Sequence, residues 1–100
     1  MKAVLLRRFG GPDVLEIVEV ANPQPKPGEV LIRVRAAGVN FFETLIRRNR
    51  FAVIPKLPTI PGVEVAGVVD ALGEGVDPNL LGTRVVVPSF AAGPGVRRLC

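Results

Sequence analysis

The chain has 100 residues, of which 48% are hydrophobic, and a formal net charge of +4. This length and composition suit one small domain with a single core, and they exclude a disordered tail. No apolar run approaches the roughly 20 residues that a membrane-spanning helix needs.

Two strands are predicted at the N-terminus. Residues 2–9 are rich in valine and leucine and end in a Gly-Gly-Pro sequence that favours a turn. Residues 14–20 form the second predicted strand, and their alternation places Leu15 and Ile17 on the inward face. Because Glu19 would share that face, we expect a bulge or an exit from the sheet at this point.

The clearest strand signal follows a proline-rich connector at residues 21–28. Three prolines at alternate positions remove backbone donors there and enforce an extended chain. Residues 29–37 then place apolar side chains at every second position, which predicts a strand with one buried and one solvated face. The predicted buried face contains Val30, Ile32, Val34 and Ala36, and the solvated face contains Arg33 and Arg35.

A short helix is predicted over residues 40–48. Asn40 is a good N-cap, and Glu43 stands at the spacing of a capping box. Four apolar side chains share one face, which needs a core because two turns of helix are not stable alone. They are Phe41, Phe42, Leu45 and Ile46. We expect Arg47 to form an ion pair with Glu43 at the i,i+4 spacing instead of binding a substrate.

The remaining chain alternates between turns and strands. Residues 51–61 are predicted to be a stiff loop because they contain three prolines. The almost continuously apolar Val65–Leu72 predicts a strand covered on both faces, with Gly67 at a bulge or a close backbone approach and Asp70 pointing outward. Arg84–Val87 is the last predicted strand. Residues 89–100 show no period and are expected to form an irregular tail.

The positive charge raises the question of a nucleic-acid partner. Most of the arginines lie in separate pairs, and the chain has neither tyrosine nor tryptophan to stack on bases. We therefore expect no nucleic-acid and no membrane partner. Arginines interrupt the apolar N-terminus where a secretion signal would continue, which predicts a cytoplasmic protein. The single cysteine, Cys100, has no activating neighbour in the sequence and is expected to be an unreactive thiol.

Several segments in this order resemble the medium-chain dehydrogenase/reductase superfamily, and most closely its zinc-independent quinone oxidoreductase branch. They are MKAVLLRRFGGPDVLEI, GVNFFETLIRR, PGVEVAGVV and GTRV, and the resemblance covers about residues 1–87. It implies a mainly β fold, a GroES-like, partly open β-barrel with one short helix. The open edges of such a barrel would allow self-association.

The resemblance also implies a function. Proteins of this branch use NADPH to reduce a small-molecule quinone or enone-type substrate, and a Rossmann domain follows the GroES-like domain. Asn40 matches the family's catalytic asparagine beside the nicotinamide, so we expect Asn40, Phe41 and Leu45 to contact the cofactor. Leu45 and Phe51 stand where many relatives have tyrosines, so those hydroxyl groups are absent.

No metal site is expected. Zinc-dependent relatives hold a cysteine at the position of Asn40 and read Gly-His-Glu where this chain has Gly62-Val63-Glu64. A catalytic zinc needs about three protein ligands, and the chain has no histidine and one cysteine. Glu64 could be read as a surviving ligand, but we favour a strand-entry carboxylate that binds loop amides.

The domain organisation expected from this resemblance is a GroES-like domain over residues 1–88 and an irregular tail over 89–100. No dinucleotide-binding domain is recognised, so the chain is expected to be a truncated catalytic portion that binds no NADPH by itself. Two alternatives remain open. The chain could be a stand-alone GroES-like binding module, or a remnant of a longer gene without function.

Overall fold

The structure is a computed structural model that describes residues 1–52, 54–88 and 96–99. These residues are mainly β, as predicted, and contain a single α-helix. In chain order the elements are β1 (Lys2–Leu6), β2 (Leu15–Glu19), β3 (Val30–Ala37), α1 (Phe41–Arg47), β4 (Val65–Leu72), β5 (Arg84–Val87) and β6 (Val96–Leu99), with 3-10 turns at Pro12–Val14 and Pro78–Leu80.

The described residues group into two compact units. The larger unit contains residues 21–38 and those from 63 onwards, and the smaller unit contains residues 2–20 and 39–62. Each unit is built on its own sheet, and the strand pairings among the described residues close no barrel. This agrees with the open architecture expected from the sequence.

The larger unit is a four-stranded sheet with the order β5-β4-β3-β6. β3 pairs antiparallel with β4, and its register shifts between Leu31 and Ile32 and again between Val34 and Ala36. Ile32 is 1% exposed and forms a buried cluster with Val65 and Val87. The predicted inward face of β3 is thus confirmed at Ile32, whereas Ala36 is exposed because the second shift lies beside it.

Gly67 lies where β4 closely approaches the backbone of β3. It pairs with Val34, and a Cβ atom placed on it would stand 2.2 Å from the carbonyl oxygen of Arg33. Only glycine fits there, so the predicted close approach is confirmed. Asp70 is exposed, as predicted, and pairs with Arg33 across the sheet at 3.3 Å.

The sheet of the smaller unit pairs β1 and β2 antiparallel, without a register shift. Ala3 is buried and pairs with Val18, whereas Val4 pairs with Ile17, which is 79% exposed. The prediction that Ile17 faces inward is therefore wrong. Alternation sets the period of a strand, but the pairing partner decides which face is covered. The chain leaves the sheet after Glu19, as expected.

Two hydrogen bonds join β1 to the proline-rich loop that follows α1. The Leu6 N–H donates to the Thr59 carbonyl at 2.8 Å, and the Thr59 N–H donates back at 3.0 Å. The loop contains a cis peptide bond between Leu57 and Pro58. This pairing anchors the loop to the last residue of β1.

The C-terminal segment differs from the irregular tail that the sequence predicts. The backbone of β6 runs parallel to β3, with Val96 opposite Val30 and Leu99 opposite Arg33. Whether four residues at a sheet edge form a strand depends more on the neighbouring strand than on the alternation of their own side chains. The Gly-Pro-Gly sequence at 93–95 and Cys100 lie outside the described residues. Within the described part, no helix has the length and apolarity needed to cross a bilayer.

Candidate functional site

Asn40 is the N-cap of the helix, as the sequence predicts. Its backbone is extended, with φ −110° and ψ 153°, and it forms a capping box with Glu43. The main-chain N–H of Asn40 donates to the Glu43 carboxylate, and the Glu43 N–H donates to the Asn40 carbonyl at 3.1 Å. The start of α1 is therefore fixed by contacts between residues three positions apart.

The side-chain amide of Asn40 holds the least satisfied polar atom of the site. Its Nδ2 is buried and has no hydrogen-bond partner among the residues that the structure describes. A buried donor without a partner costs about 1–3 kcal/mol, so such groups are uncommon in folded proteins. A ligand with an acceptor oxygen would satisfy this donor.

The two other predicted site residues follow on the same helix. Phe41 is 79% exposed, and Leu45, four residues later and on the same side of α1, is half-buried. Phe41 thus lies outside the core that we expected to cover this face, whereas Phe42 is half-buried. Its ring stacks on Phe51 with the ring centroids 5.5 Å apart. Val39, just before Asn40, is 88% exposed, so exposed apolar side chains flank the amide along the chain.

Arg47 does not form the predicted ion pair with Glu43. The Glu43 carboxylate is engaged by the Asn40 N–H, and the Arg47 Nε donates to the Gly10 carbonyl at 3.2 Å. Sequence reasoning missed this contact because the two residues lie 37 positions apart. The pair of glycines at positions 10 and 11 was the available signal for a close approach.

Replacing Glu43 with alanine is expected to destabilise the chain by about 1 kcal/mol, because the Asn40 N–H loses its carboxylate acceptor. Urea denaturation followed by circular dichroism measures the change. Glu74→Ala, which removes an exposed carboxylate from a turn, is the matched control. Equal losses of stability in the two variants would show that the capping box contributes nothing beyond the charge.

Glu64 lies against Gly38 in the larger unit. The Gly38 N–H donates to the main-chain carbonyl of Glu64 at 3.2 Å. A Cβ atom on Gly38 would stand 1.8 Å from Glu64 Oε1, so only glycine leaves room for the carboxylate. The carboxylate thus packs on the backbone, near the end of β3. In the described residues, no three side chains of the histidine, cysteine, aspartate or glutamate type come together as a metal site would require.

The glycines at positions 73 and 75 do not begin a helix. Gly73 packs against the connector, where an added Cβ would stand 1.9 Å from the Lys26 carbonyl oxygen. The turn leads into the short 3-10 turn at Pro78–Leu80. A dinucleotide pyrophosphate is usually bound where a glycine-rich turn opens an α-helix, and this turn lacks that geometry.

Comparison with known proteins identifies relatives over most of the chain. Residues 26–100 match the family of alcohol dehydrogenase GroES-like domains. Human quinone oxidoreductase is 44% identical over 94 residues, which cover 93% of this chain and 29% of the relative. The human synaptic vesicle membrane protein VAT-1 homolog-like is 42% identical over 86 residues, which cover 86% of this chain and 20% of the relative.

Solved structures give the same result. A mycobacterial quinone oxidoreductase superposes with a TM-score of 0.78 at 41% identity, covering 86% of this chain and 27% of that one. A mycobacterial protein in complex with NADPH gives a TM-score of 0.80 at 41% identity, covering 89% and 28% of the two chains. The chain thus spans less than a third of the length of these relatives. It belongs to the alcohol dehydrogenase GroES-like domain family, in the quinone oxidoreductase branch of the medium-chain dehydrogenase/reductase superfamily.

Proposed function

We propose that this chain forms the catalytic-domain portion of a quinone reductase-like, NADPH-dependent oxidoreductase, in which Asn40 contacts the reacting groups. The observation that carries the proposal is the buried Asn40 Nδ2, which has no partner among the described residues. Relatives named quinone oxidoreductase are 43–44% identical over most of this chain. A relative with 41% identity has been solved in complex with NADPH.

The residues present fit part of such a site. NADPH supplies the hydride when it is bound, and the protein's contribution is to bind and orient the reactants. The Asn40 amide can donate a hydrogen bond to a carbonyl oxygen, which nicotinamide and quinones both contain. Phe41 and Val39 offer exposed apolar surface on either side of Asn40 in the sequence, which suits a flat ring.

The substrate follows from the same chemistry. A neutral donor between apolar side chains favours a small, uncharged molecule with a carbonyl group over a charged one. The apolar side chains of Leu45 and Phe51 provide no hydroxyl donor. We therefore assign the hydrogen bond to the ligand to the Asn40 amide. We therefore propose a quinone or enone-type small molecule as the substrate.

A chimera tests this function. In it, the present chain replaces the matched N-terminal stretch of human quinone oxidoreductase, which supplies the rest of the enzyme. We expect NADPH oxidation that depends on an added quinone. Asn40→Asp should lower kcat/KM about 10- to 100-fold, because aspartate keeps the shape and the capping ability but loses the donor.

Asn22→Asp is the matched control, since it makes the same chemical change at an exposed position of the connector. It should leave kcat/KM unchanged. A folded chimera that binds NADPH but reduces no quinone would contradict the proposed function. Equal activity of the Asn40 and Asn22 variants would contradict the role of the amide and leave the function standing.

A further inference from the structure

The helix that carries Asn40 is held at both ends. α1 has seven residues, too few to be stable without outside contacts. The capping box fixes its first turn. At its last turn the Arg47 Nε donates to the Gly10 carbonyl at 3.2 Å, and the Gly10 N–H donates to the Arg47 carbonyl at 2.9 Å. Both hydrogen-bonding groups of the Gly10 backbone therefore bind one residue of α1.

The loop that receives Arg47 is itself well anchored. Gly10 has φ +156°, and a Cβ atom on it would stand 2.7 Å from Cγ1 of Val14. Val14 is 3% exposed, so it cannot move aside without opening the interior of the protein. Gly10 therefore packs closely on a buried side chain, and Arg47 donates to a carbonyl in this packed segment.

We propose that Arg47 is a positioning residue for the site: by holding the last turn of α1 on Gly10, it fixes the orientation of the Asn40 amide at the first turn. The importance of that orientation rests on the proposed function. A short helix moves as a rigid rod, so a rotation at its last turn displaces its first turn as well. The Glu43 carboxylate does not compete with Gly10 for Arg47, because it accepts the hydrogen bond from the Asn40 N–H.

Arginine suits this role better than lysine. Its Nε and its terminal nitrogens lie in one plane, so a hydrogen bond from Nε fixes the direction of the whole group. Arg47 is half-buried, whereas the next residue, Arg48, is exposed. Arg48 therefore provides a control with the same charge on the same turn of the chain.

The test is a nitrogen-15 NMR comparison of the 100-residue chain with its variants Arg47→Ala, Arg47→Lys, Arg48→Ala and Arg48→Lys. We expect Arg47→Ala to shift the side-chain amide signals of Asn40 and to speed the hydrogen exchange of the α1 amides at least about tenfold. Arg48→Ala should leave both unchanged. Arg47→Lys should shift the Asn40 signals less than Arg47→Ala and more than Arg48→Lys.

A loss of global stability alone does not move the side-chain signals of the folded state, so the Asn40 shift separates positioning from simple stabilisation. Asn40 signals that move no further in Arg47→Ala than in Arg48→Ala would overturn the proposal. If Arg47→Ala fails to fold, the lysine variants decide: Asn40 signals that move no further in Arg47→Lys than in Arg48→Lys would overturn the proposal. No NADPH or quinone is present, so failure here is independent of failure of the proposed function.

Discussion

Replacing Gly67 with alanine is expected to lower the free energy of unfolding by about 2–4 kcal/mol, the upper range for forcing an extra group into a packed sheet. The added Cβ would stand 2.2 Å from the Arg33 carbonyl oxygen and 2.9 Å from Cγ2 of Ile32. A side chain can rotate away from such a clash, but a carbonyl in a strand pairing cannot. β4 must therefore move away from β3, which opens the buried cluster around Ile32.

Gly11→Ala is the control for this experiment. Gly11 has φ −76°, which alanine adopts without strain, and the nearest atom to its added Cβ is Oδ1 of Asp13 at 3.1 Å. Asp13 is exposed and can rotate. The control should lose less than about 1 kcal/mol in the same urea titration. A Gly67 variant as stable as the Gly11 variant would show that β3 and β4 do not approach as closely as the structure has them.

The fold could be predicted from the sequence where the pattern was local. Val65–Leu72 and Arg84–Val87 have the predicted bounds, and α1 differs by one residue at each end. The face of β2 could not be predicted, because the pairing of Val4 with Ile17 depends on β1 and not on the alternation within β2. The strand at Val96–Leu99 was missed for the same reason, since its partner β3 lies more than 60 residues earlier in the chain.

The candidate site shows a similar division. The capping box was predictable because Asn40 and Glu43 are three residues apart. The contact of Arg47 with Gly10 was not, since a loop 37 residues away supplies the acceptor. The exposure of Phe41 also escaped prediction. Helical spacing groups Phe41 with Leu45 but does not say which of two neighbouring phenylalanines faces the interior. Here Phe42 is the half-buried one and stacks on Phe51.

The largest effect that we expect concerns the cofactor: by itself the 100-residue chain should bind NADPH with a dissociation constant above about 1 mM, the upper end of common KM values. A pyrophosphate is held by backbone N–H groups where a glycine-rich turn opens a helix. Within the described residues, the one α-helix begins at Asn40 in a capping box, and the glycines at 73 and 75 lead into a 3-10 turn. Neither offers the donors that two phosphate groups require.

Titration calorimetry of the chain with NADPH measures this affinity, and the chimera with human quinone oxidoreductase is the positive control. That relative is 44% identical in the matched stretch, and the chain covers 29% of its length. We expect the chimera to bind NADPH at least about 100-fold more tightly than the chain, with a micromolar dissociation constant typical of enzymes that use it. In the function that we propose, the Asn40 amide and the apolar side chains beside it contact one end of the cofactor, which is too few interactions for tight binding. A low micromolar dissociation constant for the isolated chain would contradict this prediction, because a complete cofactor site would then lie within these 100 residues.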